Sequence, residues 1–294
     1  MAAEPRAIEP RAMAPLVERA RAKVNLTLTV LGRRADGYHE LDSLVGFADV
    51  HDVLGLAPGP LGLEIAGPCA ASLGAGDDNL VLRAARAFGQ AFAGTVSGRF
   101  TLRKNLPLAS GIGGGSADAA AALRLLARAN GLPCDSPDLF AVAGRLGADV
   151  PVCLRGAACR MRGIGERLGP PLALPPLHGV LVNPGVAVET ATVFSALALP
   201  PGEIRQPATR GDHDLRAEIL HGANDLQPAA MRIAPQIGAA LHSLGGQQGC
   251  LAARMSGSGA TCFGLFERSD TAAAAAARIS ADRPGWWVQA TALA

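Results

Sequence analysis

Apolar and polar residues alternate with a period of two in one early segment of the chain. Val24, Leu26, Leu28 and Val30 are separated by polar residues, a pattern typical of a half-buried strand. Lys23 and Asn25 then share the polar face of this strand, because residues two apart point the same way. The same kind of pattern predicts further strands at Leu41–Leu56 with a break near Gly46, Leu61–Ala66, Arg99–Lys104, Gly179–Val182, Cys262–Phe266 and Trp286–Ala290.

Helical spacing of apolar residues, bounded by capping residues, predicts the helices. Asp77 or Asp78 is positioned to cap the first helix, and Ser136 followed by Pro137 has the sequence of a helix start. Gly131 suits the residue just after a helix end. The helices predicted in this way are Asn79–Phe92, the Ala-rich segment from Ser116 to Asn130, Ser136–Leu146, Thr190–Leu197, Pro228–Leu244 and Asp270–Ala281.

Strands and helices follow one another without regular β–α–β alternation, which favours an α+β fold. A length of 294 residues predicts two domains. The Pro-rich segment Gly169–Pro176 is the best boundary, giving an N-terminal domain over 21–172 and a C-terminal domain over 173–294. Residues 1–20 are predicted to form a loose extension, and Pro200–Asp212 a mobile surface loop.

Composition and charge narrow the class of protein. Apolar residues make up 49% of the chain and charged residues 18%, which excludes a disordered chain. A net charge of +2 without a basic run argues against nucleic acid as a partner. No secretory signal or membrane-length apolar stretch is evident, and none of the six cysteines forms a CxxC pair. We therefore expect a cytoplasmic protein with reduced thiols that acts on a small molecule.

The strongest chemical signal is the glycine-rich segment from Gly111 to Ser116, placed where a helix begins. Glycines let the backbone approach a ligand, and the unpaired N–H groups of a helix start favour phosphate. A plain glycine turn capped by Ser116 is the structural alternative. A dinucleotide-binding loop is disfavoured because its third glycine position is occupied by Ser116. A Walker A loop is excluded because neither of the two lysines, Lys23 and Lys104, follows a glycine.

Three further segments carry chemistry. Met255–Phe263 combines a Gly/Ser turn with the start of a strand, and Asp149 lies in an apolar setting that suits a general base. Tyr38 and His39 follow the Asp36-Gly37 turn, where they could stack on and hydrogen-bond a planar base. Each segment also has an ordinary structural explanation as a turn or hairpin.

Taken in this order, the segments resemble the GHMP kinase superfamily. The glycine segment is similar to its phosphate-binding motif, and Met255–Ala260 to its third motif. Ala22–Leu26, Arg34–Leu41 and Leu146–Val152 resemble the members that phosphorylate a tertiary hydroxyl of a cytidyl-diphospho sugar alcohol in the non-mevalonate route to isoprenoid precursors. The resemblance covers the chain from about residue 21 to the end. It implies two α+β domains with the active site in the cleft between them.

The resemblance also implies roles for particular residues. Lys23 and Asp149 are the catalytic pair, and the cytidyl diphosphate of methylerythritol is held by Asn25, Tyr38 and His39. ATP, acting with Mg²⁺, is bound by Asn79, Lys104, Pro107, Leu108, Ala109, Ser110, Gly111, Ile112, Gly113, Gly114, Gly115, Ser116 and Ala117. The metal ligands stay open, with Asp118 as one candidate, and the chain is expected to be a monomer or homodimer.

Two alternatives remain at this point. A sister kinase acting on homoserine, mevalonate or a sugar would share the phosphate loop but gives Tyr38 and His39 no role. A non-catalytic nucleotide-binding or regulatory protein would bind ATP without phosphorylating any acceptor.

Overall fold

The computed structural model describes residues 16–71, 73–207 and 214–294. Its strands are β1 Leu16–Asn25, β2 Thr29–Arg33, β3 His39–Ala57, β4 Gly62–Ala66, β5 Arg99–Arg103, β6 Cys159–Gly163, β7 Arg167–Pro171, β8 Leu177–Asn183, β9 Cys250–Met255, β10 Cys262–Phe266 and β11 Trp287–Leu293. Its helices are α1 Leu80–Ala91, α2 Gly114–Ala129, α3 Pro137–Leu146, α4 Val150–Arg155, α5 Thr190–Ser195, α6 Leu215–His221, α7 Gln227–Ile233, α8 Gln236–Gly245 and α9 Ser269–Asp282.

One mixed sheet runs through the molecule and confirms the α+β class. Its main path is β4-β5-β3-β11-β8-β10-β9, with β1, β2 and β6 paired to β3 and with β7 paired to β6. The last strand links the two halves of the sheet, since Leu293 pairs with Ala48. Beside that pair, the Phe47 and Ala294 backbones exchange hydrogen bonds of 2.7 and 2.9 Å. The C-terminal end of the chain is therefore built into the N-terminal half of the sheet.

Helices cover the sheet in two groups. The helices α1 to α4 pack with β1 and β3 around a core that includes Phe47, Phe88 and Phe100. The helices α7 to α9 pack with the C-terminal strands around Ile237 and Phe266. None of the helices among these residues is long and apolar enough to cross a membrane.

The first strand differs from its prediction in two ways. It begins at Leu16 and pairs with β3, so the prediction of a loose extension is wrong for residues 16–20; residues 1–15 lie outside the described part. It is also buried on both faces near its end, with Lys23 3% and Asn25 1% exposed. The predicted polar face is therefore an interior one. The single strand predicted through Val30 is divided instead between β1 and β2.

The strand β3 runs without a break through Gly46. An added Cβ there would lie 2.9 Å from the Leu174 side chain and 3.2 Å from that of Leu26, so the glycine serves close packing rather than ending the strand. The boundary segment Gly169–Pro176 is partly a strand, since β7 extends to Pro171.

Helix boundaries follow local chemistry. The side chain of Asn79 caps α1, where Asp77 or Asp78 was expected, and Ser136 caps α3 as predicted. The long helix predicted over Pro228–Leu244 is two helices, α7 and α8, because Pro235 cannot supply an N–H inside a helix.

The segment predicted as a mobile loop is tied to β2 over its described part. Gly202 N–H donates to Arg33 O at 2.8 Å, and Arg205 N–H donates to Leu31 O at 2.9 Å. The rest of that predicted loop, residues 208–212, lies outside the described residues.

Candidate active site

A cleft of about 1220 Å³ lies between the two groups of helices. Its walls come from β1, the turn between β2 and β3, the glycine segment before α2, the residues before α4, the start of α5 and the segment Gly257–Gly259. Segments far apart in the sequence therefore meet around one space large enough for two ligands of nucleotide size.

Lys23 and Asp149 form an ion pair inside this cleft, with Lys23 Nζ 2.9 Å from Asp149 Oδ2. The Lys23 side chain is only 4% exposed, whereas that of Asp149 is 36% exposed. Asp149 is the residue before α4, yet its carboxylate caps no N–H of that helix. One oxygen faces the lysine, and the carboxylate is left accessible from the cleft. A half-exposed carboxylate beside a buried cation is suited to accept a proton from a bound hydroxyl.

The glycine segment is held close to the segment Ser256–Gly259. Gly111 has a φ of +74°, and a Cβ there would lie 2.5 Å from Ser256 O and 2.7 Å from Gly259 O. The Ser256 hydroxyl donates to Gly111 O at 3.0 Å. Only glycine allows the two backbones to approach in this way.

The helix α2 begins at the end of this segment without a side-chain cap. Its N-cap, Gly113, has a φ of +64° and offers no side chain to the first N–H groups of the helix. Those N–H groups and the positive end of the helix dipole are available to an anion in the cleft.

Asn25 offers a free acceptor atom in the cleft wall. Its Nδ2 donates to Ser43 Oγ at 2.8 Å, and its backbone N–H donates to Ser256 Oγ at 3.0 Å. Its Oδ1 is buried and has no hydrogen-bond partner among the described residues. Such an orphaned acceptor favours a ligand hydroxyl at this point.

Two rings stack in the wall of the cleft. His39 and Phe194 lie with their ring centroids 4.8 Å apart and their planes 29° apart, and Tyr38 nearby is 60% exposed. Burial, with a smaller contribution from Arg33, lowers the pKa of His39. A neutral imidazole can both donate and accept hydrogen bonds, as recognition of a heterocyclic base requires.

Two residues predicted to bind nucleotide, Lys104 and Asn79, have their polar side-chain atoms bonded to other groups of the protein. Lys104 lines the cleft but is fully buried, and its Nζ lies 2.5 Å from Asp52 Oδ2 and 2.6 Å from Asp118 Oδ2. Asn79 caps α1 and donates to Gly74 O at 3.0 Å, and it is not among the cleft-lining residues. Asp118, the metal-ligand candidate, is bound to Lys104 and does not line the cleft.

The other predicted residues divide between the cleft and the core. The side chains of Ile112 and Ala117 pack in the core. The predicted residues that line the cleft are Lys23, Asn25, Tyr38, His39, Lys104, Pro107, Leu108, Ala109, Ser110, Gly111, Gly113, Gly114, Gly115, Ser116 and Asp149.

The cleft is also lined by Arg33, Thr190 and Phe194, which were not predicted as site residues, and by Ser258 of the predicted Gly/Ser turn. Thr190 Oγ1 and Ser258 Oγ are 2.8 Å apart, so α5 contacts the segment Ser256–Gly259. The four-residue spacing of Thr190 and Phe194 places them on one face of a helix, a signal that was present in the sequence. Nothing local in the sequence showed which way that face points.

Comparisons with known proteins identify the family and the fold. Residues 79–157 match the family described as GHMP kinases N terminal domain, and residues 204–284 match GHMP kinases C terminal. A crystal structure of 4-(cytidine 5'-diphospho)-2C-methyl-D-erythritol kinase superimposes with a TM-score of 0.78 and 38% identity, covering 95% of this chain and 99% of that one. Homoserine kinase from Cytophaga hutchinsonii shares the fold, with a TM-score of 0.68 and 16% identity over 97% of each chain.

Fold and site together define a GHMP kinase, a class that takes its phosphate from ATP. Two curated relatives carry the name 4-diphosphocytidyl-2-C-methyl-D-erythritol kinase. The relative from Methylobacterium radiotolerans is 56% identical over 95% of this chain and 99% of its own length. The relative from Bradyrhizobium sp. strain BTAi1 is 53% identical over 94% of this chain and 96% of its own length. The chain belongs to the family of 4-diphosphocytidyl-2-C-methyl-D-erythritol kinases.

Proposed function

We propose that this chain transfers the γ-phosphoryl group of ATP to the 2-hydroxyl of 4-diphosphocytidyl-2-C-methyl-D-erythritol. The observation that carries the proposal is the Lys23–Asp149 ion pair of 2.9 Å, placed in one cleft with an uncapped helix start and an aromatic pair. The names of relatives at 53% and 56% identity support this acceptor.

Lys23 and Asp149 carry the proton chemistry in this proposal. Asp149 accepts the proton of the acceptor hydroxyl while the oxygen of that hydroxyl forms a bond to the γ-phosphorus. The bond from that phosphorus to the bridging oxygen breaks, and ADP leaves. Lys23 holds Asp149 in place and stabilises negative charge near the attacking oxygen. The unpaired Asn25 Oδ1 accepts a hydrogen bond from a hydroxyl of the methylerythritol part.

Residues Pro107 to Ala117, which include the glycine segment, hold the ATP phosphates through the N–H groups at the start of α2. Transfer of this kind depends on positioning and on charge stabilisation more than on covalent catalysis. The close contact of this segment with Ser256–Gly259 fixes its shape before ATP arrives.

Tyr38, His39 and Phe194 form the pocket for the cytosine base. The stacked pair of His39 and Phe194 supplies a flat apolar surface, and the imidazole nitrogens read the hydrogen-bonding edge of the base. Arg33 lines the same end of the cleft, and its guanidinium has no ion-pair or hydrogen-bond partner among the described residues. We assign it to the negatively charged diphosphate of the acceptor.

Mg²⁺ is proposed as the ion that accompanies ATP. In the described part of the chain no group of three or more His, Cys, Asp and Glu side chains could hold a metal ion. Phosphate oxygens and water would supply most of the ligands, as is usual for Mg²⁺. Bound there, the ion would neutralise charge on the phosphates.

We also propose that the enzyme is cytoplasmic, has no nucleic-acid partner and acts as a monomer or homodimer. The substrates are small charged molecules, and the chain's net charge is +2 without a basic run.

The test is release of ADP with ATP and Mg²⁺ and three acceptors side by side: the cytidyl substrate, homoserine and mevalonate. Turnover with the cytidyl substrate alone is the expected result. Turnover with another acceptor would retain the fold and the phosphate site but contradict the assigned base pocket. ATP binding without turnover on any acceptor would favour a non-catalytic nucleotide-binding protein.

A further inference from the structure

A buried group of three charged side chains lies beneath the glycine segment. Lys104, at the end of β5, bridges Asp52 of β3 and Asp118 of α2, with N–O distances of 2.5 and 2.6 Å. All three side chains are 4% exposed or less. We call Lys104, Asp52 and Asp118 the buried triad.

The two carboxylates of the triad are not equally well bonded. Asp52 accepts from Lys104 with one oxygen, and its other oxygen accepts the backbone N–H groups of Asn105 at 2.6 Å and Leu106 at 2.8 Å. Asp118 accepts only from Lys104, and its Oδ1 is buried with no hydrogen-bond partner among the described residues. Hydrogen bonds therefore stabilise the negative charge of an ionised Asp52 well and that of an ionised Asp118 poorly.

Charge within the triad does not balance when every member is ionised. One ammonium faces two carboxylates, which leaves one buried negative charge. Two thiols interact with the charges of the triad: Cys69 with Asp52 and Lys104, and Cys153 of α4 with Asp118. Burial raises the pKa of the Cys69 thiol, and burial, with a smaller contribution from Asp149, raises the pKa of the Cys153 thiol to about 12. Both thiols are thus neutral at physiological pH and do not alter the balance. Two cations act on Cys153, and each has a carboxylate partner: Lys23 of β1 is paired with Asp149, and Arg124 of α2 with Glu18.

The triad also lies close to where the phosphates of ATP are proposed to bind. A Cβ added to Gly114, the first residue of α2, would be 3.2 Å from Lys104 Nζ. Asp118 follows one helical turn later on the same helix. A net negative triad at this place opposes the binding of a polyphosphate, whereas a neutral triad does not.

We propose that Asp118 takes up a proton when a nucleotide binds, so that the triad becomes neutral beneath the phosphates and Lys104 stays positioned between Asp52 and the glycine segment. The inference rests on the proposed nucleotide site. The proton comes from solvent and binds the Asp118 carboxylate, the Lys104–Asp52 ion pair persists, and the charge of the triad changes from −1 to zero. Asp118 is a positioning residue in this scheme, because it acts through Lys104 and does not line the cleft.

The free protein is already poised for this uptake. Burial raises the pKa of Asp118 to about 7, against the lowering effect of Lys104 and with a further rise from Asp52. At pH 8 most free molecules therefore carry an ionised Asp118, so uptake on binding is large enough to measure.

The experiment is isothermal titration of the full chain with Mg·ADP at pH 8 in two buffers of different ionisation enthalpy. The difference in heat counts the protons taken up, and the phosphates of ADP titrate well below this pH. We expect up to about one proton per nucleotide bound to the unmodified chain. Asp118→Asn keeps the shape without the charge, so it should bind Mg·ADP at least as tightly and lose the uptake. Asp138→Asn, at an exposed carboxylate in α3, is the matched control and should keep it.

A second measurement tests the inference should Asp118→Asn fail to fold. The affinity of the unmodified chain for Mg·ADP should fall as the pH rises from 7 to 9, by up to about tenfold per pH unit. Zero proton uptake with a flat affinity, or uptake that persists in Asp118→Asn, would overturn the inference and leave the proposed function intact. No binding of Mg·ADP at any pH would overturn both.

Discussion

At the scale of single residues, the ion pair of Lys23 and Asp149 is formed by two side chains with very different access to solvent. The lysine is 4% and the aspartate 36% exposed, so the cation is enclosed by the protein while the carboxylate is accessible from the cleft. The family resemblance assigned both residues to catalysis, and the structure brings their side chains within 2.9 Å of one another. Their catalytic role is a prediction that can be tested directly.

Asp149→Asn should lower kcat by about 10²–10⁴, the usual contribution of a positioned base. The affinity for Mg·ADP should change little, because the phosphates are held by backbone N–H groups elsewhere in the cleft. Steady-state kinetics with direct nucleotide binding measures both, with Asp138→Asn as the exposed-carboxylate control. Near-normal turnover would show that Asp149 is not the base.

Phe194→Ala should raise the KM for the cytidyl acceptor by about 5–150-fold, corresponding to the roughly 1–3 kcal/mol of one stacked base. The KM for ATP should stay unchanged, since Phe194 stacks on His39 and is not part of the segment proposed to hold the ATP phosphates. Phe194→Tyr, which keeps a ring, is the matched control. An equal rise in both KM values would point to general damage to the cleft instead of loss of a base contact.

At the scale of elements, the glycine segment and Ser256–Gly259 are shaped by each other. Gly111 accepts from the Ser256 hydroxyl, and a Cβ at Gly257 would lie 2.7 Å from Gly111 O. The motif spacing indicated two glycine segments in the sequence, and the reason for the glycines lies in this contact between them. A segment's own sequence cannot show which other backbone approaches it.

Gly111→Ala should weaken Mg·ADP binding by at least about tenfold and destabilise the fold by about 1–3 kcal/mol. Its φ of +74° is unfavourable for alanine, and the added carbon would meet Ser256 O at 2.5 Å. Thermal unfolding and titration calorimetry measure the two effects.

Gly89→Ala is the matched control for that substitution. Gly89 lies at an exposed position inside α1 with nothing within 4 Å of an added Cβ, so alanine should stabilise the chain by about 0.5–1 kcal/mol. If Gly111→Ala behaved like Gly89→Ala, the argument from close approach would be wrong.

Short elements were harder to predict than long ones. The strands β6, β7 and β9 and the helices α4 and α6 have five to seven residues each, too few for a clear period. The strand β3 was predicted as broken because Gly46 and its charged residues suggested an end. Pairing with β1, β2, β5 and β6 instead stabilises 19 continuous residues.

At the scale of the whole molecule, the buried triad joins β3, β5 and α2 and makes stability depend on pH. The unfolded chain releases the Asp118 proton near its ordinary pKa of about 4, whereas the folded chain keeps it up to about 7. Between these two pH values the folded state binds more protons than the unfolded state. The free energy of unfolding therefore falls as the pH rises from about 4 to about 7, by on the order of a few kcal/mol in total.

Asp118→Asn removes this titration. The free energy of unfolding of the variant, relative to that of the unmodified chain, should therefore be more favourable at pH 8 than at pH 5. Urea unfolding at the two pH values measures the difference between the two free energies of unfolding. The same difference at both values would contradict a raised pKa for Asp118.

The sequence by itself determined the class of fold and the family, and it located the glycine segment that is proposed to bind phosphate, because these depend on local pattern and on motifs a few residues long. Only the tertiary structure decided that Lys104 is paired with two carboxylates, that Phe194 stacks on His39 and that β1 is buried on both faces. Each of these depends on residues distant in the chain, since burial and pairing are set by whichever segments the sheet brings together.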